Sequence, residues 1–147
     1  MTVNKAEHNV RLITEKYHSA DPDVLCEKMG IIVVEQELPD CVNGFTVRMN
    51  DIPFIVLNRE LGYYEKRFTQ AHELGHIVLH NGINSLNLSC NTEFCVTKYE
   101  READSFAAWL LLIAEMSELD SLECVTAEDV SKIAHIPMSV ADSTFLD

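Results

Sequence analysis

The chain has 147 residues, enough to bury one core and too few for two ordinary domains, so the expectation is one domain over 1–147 with a helical C-terminal extension from about 120. A net charge of −13 disfavours direct binding of nucleic acid, where affinity comes from Lys and Arg neutralising phosphates, and suits a basic protein partner or simply solubility. The N-terminal stretch is charged throughout, and the longest apolar run, 107–114, is too short to span a bilayer, which predicts a soluble, cytoplasmic protein with no membrane association.

Ala6, Val10, Ile13 and Tyr17 recur at helical spacing and predict a first amphipathic helix. Asp21-Pro22 reads as an N-cap followed by proline in the first turn, and Gly30 closes that second helix after Met29. The β-branched run 31–34 reads as a buried strand, and the alternation of Phe45, Val47 and Met49 with Thr46 and Arg48 as a second. Asn50-Asp51 offers a turn into a third strand over 52–57, which Pro53 places on a sheet edge. These three predict a small antiparallel sheet.

Helical periodicity then runs from about Glu65 through His80, with Asn81-Gly82 as the stop. The Asn- and Ser-rich stretch 83–97 reads as a loop, and a second long helix is expected over 98–116. Five cysteines, Cys26, Cys41, Cys90, Cys95 and Cys124, make an odd set best read as reduced thiols. Cys90 and Cys95 have the spacing of a zinc knuckle, but no second close pair completes four ligands. Thr126 to Asp129 forms a helix cap ahead of Val130, Ile133 and Ala134, and after Pro137 a last helix is expected over 138–146. The tail has the outline of a helix-turn-helix, but Lys132 is its one fixed positive charge, so its expected role is packing.

The chemistry gathers at His72-Glu73-Leu74-Gly75-His76. Residues four apart lie on one helical face about 6 Å along the axis, so two imidazoles can address one tetrahedral ion, most naturally Zn2+. Glu73 is adjacent to the first histidine and suits a general base acting on water. A third protein ligand is needed, with the fourth position open. Glu100 and Asp104 are also four apart, so Glu100 can ligate while Asp104 accepts a hydrogen bond from the far nitrogen of a ligating histidine. Read alone, Glu100, Glu102 and Asp104 would be an acidic helix start favoured by the dipole. Glu102 points about 160° away from Glu100 around the helix and is the weaker ligand candidate. Small residues, Ala103, Ala107 and Ala108 facing Ala71 and Gly75, allow the two helices to approach closely. His80 continues the histidine row but lies about 12 Å along the helix from His72, too far to share its ion. Two readings stay open for it, a substrate or oxyanion contact and a helix-end histidine favoured by the dipole. Tyr63, Tyr64 and Tyr99 are further conceivable donors.

The blocks Arg67-Phe68-Thr69-Gln70-Ala71-His72-Glu73-Leu74-Gly75-His76, extended to His80, and Glu100-Arg101-Glu102-Ala103-Asp104-Ser105-Phe106-Ala107-Ala108 together resemble the ImmA/IrrE family of metallopeptidases. Two helices before a small sheet and then the zinc helix also resemble that family, and imply a zincin-like α+β fold. The resemblance implies that His72, His76 and Glu100 bind zinc and that Glu73 is catalytic. Family members commonly continue the second block with Leu-Leu-Met-Pro, where this chain has Leu110-Leu111-Leu112-Ile113. The resemblance further implies an origin on a phage, an integrative element or a stress-response system, and a helix-turn-helix repressor as the protein cut. A binding protein that sequesters a repressor without cutting it, with structural zinc, and a hydrolase of a non-peptide amide are the rival functions.

Overall fold

The computed structural model describes residues 4–80, 93–116 and 126–145, the last five-residue stretch before Lys98 by its backbone alone. In chain order the elements are α1 (Lys5–Tyr17), α2 (Pro22–Lys28), β1 (Ile32–Gln36), β2 (Gly44–Met49), β3 (Ile52–Asn58), α3 (Tyr63–Leu79), α4 (Glu93–Met116), α5 (Ala127–Ala134) and α6 (Met138–Phe145). The α+β class, with helices packed on a small sheet and a helical C-terminal region, holds. The expected stop at Asn81-Gly82, most of the expected loop at 83–97 and the side chains of Cys90, Cys95 and Cys124 fall outside the described residues. The end of that loop is helical, since α4 begins at Glu93. Among the described residues no helix is long and apolar enough to cross a membrane.

Local chemistry sets the helix boundaries. Asn4 caps α1 by accepting from the Glu7 N–H, and Asp21 caps α2 by accepting from Asp23 with Pro22 in the first turn. Gly30 takes φ +75° just beyond α2, a conformation glycine adopts without a Cβ penalty. Thr126 and Asp129 exchange hydrogen bonds of 3.1 Å as a capping box at the start of α5. The outline of a helix-turn-helix in the tail resolves into packing: Ala127, Val130, Ala134, Ile136, Val140 and Ala141 all join the core, and Lys132 pairs with Glu128 on the surface.

The sheet corrects three expectations. Its order is β1-β3-β2, and it is mixed: β2 and β3 form an antiparallel hairpin, whereas β1 runs parallel to β3, with Ile32 opposite Phe54. The Asn50-Asp51 turn, with φ of 53° and 67°, has the left-handed geometry of a two-residue hairpin, which sets the β2–β3 pairing. The strand expected to be buried, β1, is an edge with Ile32 exposed, and the strand that Pro53 placed at an edge, β3, is central. Pro53 is tolerated there because the β1 ladder begins only at the next residue, Phe54, so its missing N–H removes no β1 bond. The buried run Ile55-Val56-Leu57-Asn58 marks β3 as the centre. In β2 the buried side chain is Thr46, opposite the fully buried Ile55.

Asn58 closes β3 and organises the connection that returns toward the helices. Its amide Nδ2 donates to the carbonyls of Leu38, Pro39 and Val42 at 3.2, 3.3 and 3.0 Å, and its Oδ1 accepts from the Glu60 N–H. Truncation would strip these partners from a site that is 3 % exposed. Asn58→Ala is therefore expected to lower stability by about 1–3 kcal/mol in urea denaturation; a change within about 0.5 kcal/mol would show that water replaces the amide at no cost.

The core lies between α1, α3, α4 and the sheet, with α5 and α6 packed on α4, and includes the fully buried Phe106, Leu110 and Leu111. Cys26 sits in it, and burial, helped by the nearby carboxylates of Asp23 and Asp21 and only partly opposed by Gln70, pushes its thiol up to about 11. A thiol raised above its unfolded value stabilises the fold below the ordinary thiol range, and that contribution is lost as pH rises toward the folded value. Alkylation at mildly alkaline pH should accordingly modify the exposed Cys41 and spare Cys26 until the chain unfolds. Peptide mapping by mass spectrometry checks this, and equal labelling of the two would show that the core opens locally.

Candidate metal centre between two helices

Close approach of α3 and α4 builds the site. At the crossing, Gly75 faces Phe106 so tightly that a Cβ there would stand 3.0 Å from the Phe106 Cβ and ring. Ala71, Ala103, Ala107 and Ala108 are fully buried along the same seam. Small residues let the helix backbones come near enough for short polar side chains to meet between them.

His72 and His76 project from one face of α3, and their rings meet edge to face with centroids 4.9 Å apart. Across the seam, Glu100 Oε2 lies 3.0 Å from His72 Nε2 and 2.9 Å from His76 Nε2, so one carboxylate oxygen meets both rings. Asp104, one turn further along α4, puts Oδ1 2.8 Å from His72 Nδ1. Glu73 is buried, with Oε2 4.0 Å from His72 Nε2. Its other oxygen, Oε1, is buried with no hydrogen-bond partner among the described residues. His72, Glu73 and His76 each offer a donor atom, and these lie within 4.8 Å of one another. The structure thus brings His72, Glu73, His76, Glu100 and Asp104 together.

Electrostatics favour positive charge at the centre. Burial alone would lower the His72 pKa, but the hydrogen bonds with Asp104 and Glu100 outweigh it and raise the imidazole to about 10. Burial likewise opposes ionisation of Glu100, yet His72 and His76 hold its carboxyl well below the ordinary carboxylate range. Glu73 moves the other way: burial raises its pKa, only partly offset by the two histidines. Two imidazole nitrogens and the nearby carboxylate oxygens form a donor set that can hold a divalent cation, and the orphaned Glu73 Oε1 is a polar atom such a centre's water would satisfy.

His80, which the sequence offered as a substrate or oxyanion contact or as a helix-end histidine, lies behind His76. It caps the end of α3, is 4 % exposed, and stands behind His76 with Nδ1 3.0 Å from His76 Nδ1 and Nε2 2.8 Å from Glu102 Oε1. With both ring nitrogens engaged inside the protein, it does not face the cleft. Tyr99 packs against its ring at 4.5 Å, while Tyr64 stacks on His135 at 3.7 Å and Tyr63 is exposed. Sequence reasoning rejected Glu102 as a ligand and missed its pairing with His80; the signal was three acids at alternate positions opposite three histidines one turn apart.

The centre opens into a cleft of about 250 Å³, lined by Asn43, Gly44, Thr69, His72, Glu73 and Glu100 among others. Asn43 and Gly44 arrive from the connection that Asn58 pins, and had no signal in the sequence. Gly44 is required by proximity, since a Cβ would meet the Val56 carbonyl oxygen at 2.6 Å and Thr69 Cγ2 at 2.9 Å. A second cleft shares Asn43, Phe68 and Thr69 and extends to Tyr64, His135 and Pro137, so the C-terminal helices border the approach to the centre.

A family model described as Peptidase M78, the IrrE N-terminal-like domain, matches residues 26–135. The chain is 32% identical over 133 residues to a protein of Bacillus phage phi105 called uncharacterized immunity region protein 2, covering 90% of this chain and 84% of that protein. It is 24% identical over 140 residues to the metallopeptidase ImmA of Bacillus subtilis strain 168, covering 92% and 81%. Among solved structures, a Mycobacterium tuberculosis transcriptional regulator superposes with a TM-score of 0.56 at 16% identity; the match covers 95% of this chain and 46% of that one, and shows a shared fold.

Proposed function

Because the chain belongs to the ImmA/IrrE family, Peptidase M78, we propose that it is a zinc-dependent endopeptidase of the cytoplasm, folded as a single metallopeptidase domain, that cuts a helix-turn-helix transcriptional repressor and so relieves repression. The observation that carries the peptidase reading is the meeting of two α3 imidazoles and one α4 carboxylate at a single point, beside a buried carboxylate oxygen with no partner among the described residues.

In this reading His72, His76 and Glu100 hold the ion, and Asp104 accepts the His72 Nδ1–H, which leaves Nε2 bare and orients the ring. A bound divalent ion supplies Lewis acidity toward water and the scissile carbonyl. Glu73 takes the proton of the attacking water and returns it to the leaving amine; burial raises its pKa, which makes the carboxylate a stronger base. The cleft beside Asn43 and Gly44 admits the peptide.

The substrate is the finer part of the proposal. The family resemblance supports it, as do the immunity-region name of the phage relative and the net charge of −13, which suits a partner with a basic DNA-binding face. The test is to incubate the purified, zinc-loaded protein with helix-turn-helix repressors from its own genome and look for two fragments by mass spectrometry. Chelator is expected to abolish cutting and added zinc to restore it. Repression relieved while the repressor stays intact would replace this reading with sequestration by a non-proteolytic anti-repressor.

A further inference from the structure

His80 has no role in the chemistry assigned to Glu73 and the three ligands, yet it is among the most buried polar side chains and ends a continuous chain of contacts. From the centre outward, Glu100 Oε2 meets His76 Nε2 at 2.9 Å, His76 Nδ1 meets His80 Nδ1 at 3.0 Å, and His80 Nε2 meets Glu102 Oε1 at 2.8 Å. Lys5 Nζ, from the first turn of α1, stands 3.6 Å from Glu102 Oε2 and supports its charge.

Counting protons along this chain gives it a direction. Each neutral imidazole carries one N–H, and an ionised carboxylate only accepts. Where a bound cation keeps both rings neutral, they supply two protons for three contacts, so one contact lacks a proton. It cannot be the middle one, where two ring lone pairs would face each other at 3.0 Å in a buried setting. At the Glu102 end the His80 ring is buried under Tyr99 and Glu102 is half-buried and paired with Lys5, whereas the Glu100 end opens on the cleft, where a cation can take the place of the missing proton.

We propose that Glu102 and His80 act as a two-step positioning relay for His76: Glu102 accepts the His80 Nε2–H, His80 Nδ1 accepts the His76 Nδ1–H, and His76 Nε2 is left bare to ligate. The proposal rests on the metal centre described under Proposed function. His72 receives its orienting carboxylate directly, from Asp104. His76 receives the equivalent at one remove, through a second imidazole, and Lys5 ties α1 into the same chain. His80 and Glu102 are positioning residues, since neither faces the cleft.

Zinc affinity of the full-length chain, measured by competition with a chromophoric chelator, tests the relay. His80→Leu removes the acceptor and is expected to weaken zinc binding about 10–100-fold, the usual cost of losing a partner behind a ligand. His80→Gln, whose amide oxygen still accepts from His76 Nδ1–H, is expected to recover most of that affinity. Thermal melting of both metal-free variants at or above the parent shows that the fold persists. Nitrogen-15 NMR of the zinc-loaded parent is expected to show His76 protonated at Nδ1. Zinc affinity that is unchanged by His80→Leu, or lost equally in the Leu and Gln variants, overturns the relay and leaves the metal centre standing. A folded parent that binds no zinc overturns both.

Discussion

Glu73→Gln is expected to reduce peptide-bond cleavage by about 10²–10⁴-fold, the usual range for loss of a positioned general base, while the protein keeps its divalent ion. The amide is nearly isosteric with the carboxylate, so the packing of α3 should survive. What it loses is the ability to take and return a proton. The pH dependence of the parent follows from the same group: cleavage should fall as pH drops through the raised Glu73 pKa, because the base must be ionised to act. Stability moves oppositely. A carboxyl whose folded pKa is raised stabilises below its unfolded value, and this contribution is lost as pH rises through the folded value. Above the ordinary carboxylate range the buried group is therefore a cost, and Glu73→Gln should melt at or above the parent temperature. Metal content by atomic absorption, fragment yield and a melting curve together check this. A variant that retains zinc and cuts at the parental rate would remove Glu73 from the mechanism.

Phe106→Ala is expected to cost about 3–5 kcal/mol, the range for deleting a fully buried aromatic ring, out of a total stability of about 5–15 kcal/mol for a domain. Phe106 is 0% exposed, sits at the middle of α4, and faces Gly75 on α3. Its ring fills the crossing that sets the distance from Glu100 to His72 and His76. Losing it leaves a cavity that the helices can only partly close, and a shift of the seam would move the third carboxylate relative to the imidazoles. Zinc affinity should therefore fall along with stability, although Phe106 is not itself a proposed ligand. Urea denaturation and zinc titration on the same sample test the coupling. A loss below about 1 kcal/mol would mean that neighbouring side chains repack into the space.

How much was legible varies residue by residue. His72 and His76 fall on one face by helical periodicity alone, and Asp21-Pro22 and Thr126 to Asp129 act as caps through contacts within a few residues. The pairing of Glu100 with Asp104 at helical spacing was equally local. Pro53 misled because its exclusion from a central strand depends on which neighbour needs its N–H, and the β1 ladder begins one residue later. The run 31–34 misled because β-branched residues mark a strand without saying what covers it; Ile32 is exposed on an edge. Asn58 gave no sign of its three carbonyl partners, which lie 16 to 20 residues back in the chain.

Periodicity, capping chemistry and residue size are properties of short stretches, so the sequence by itself determined the helices, the existence of three strands, the shared face of the two histidines and the small-residue seam. Strand order, the burial of Glu73, the convergence of Glu100 on both imidazoles and the engagement of His80 with Glu102 were decided only by tertiary structure. Each of these joins segments far apart in the chain or depends on solvent exclusion by several elements at once. No window of sequence contains that information, because the free energy that selects it comes from the packing of α3 against α4 and the sheet.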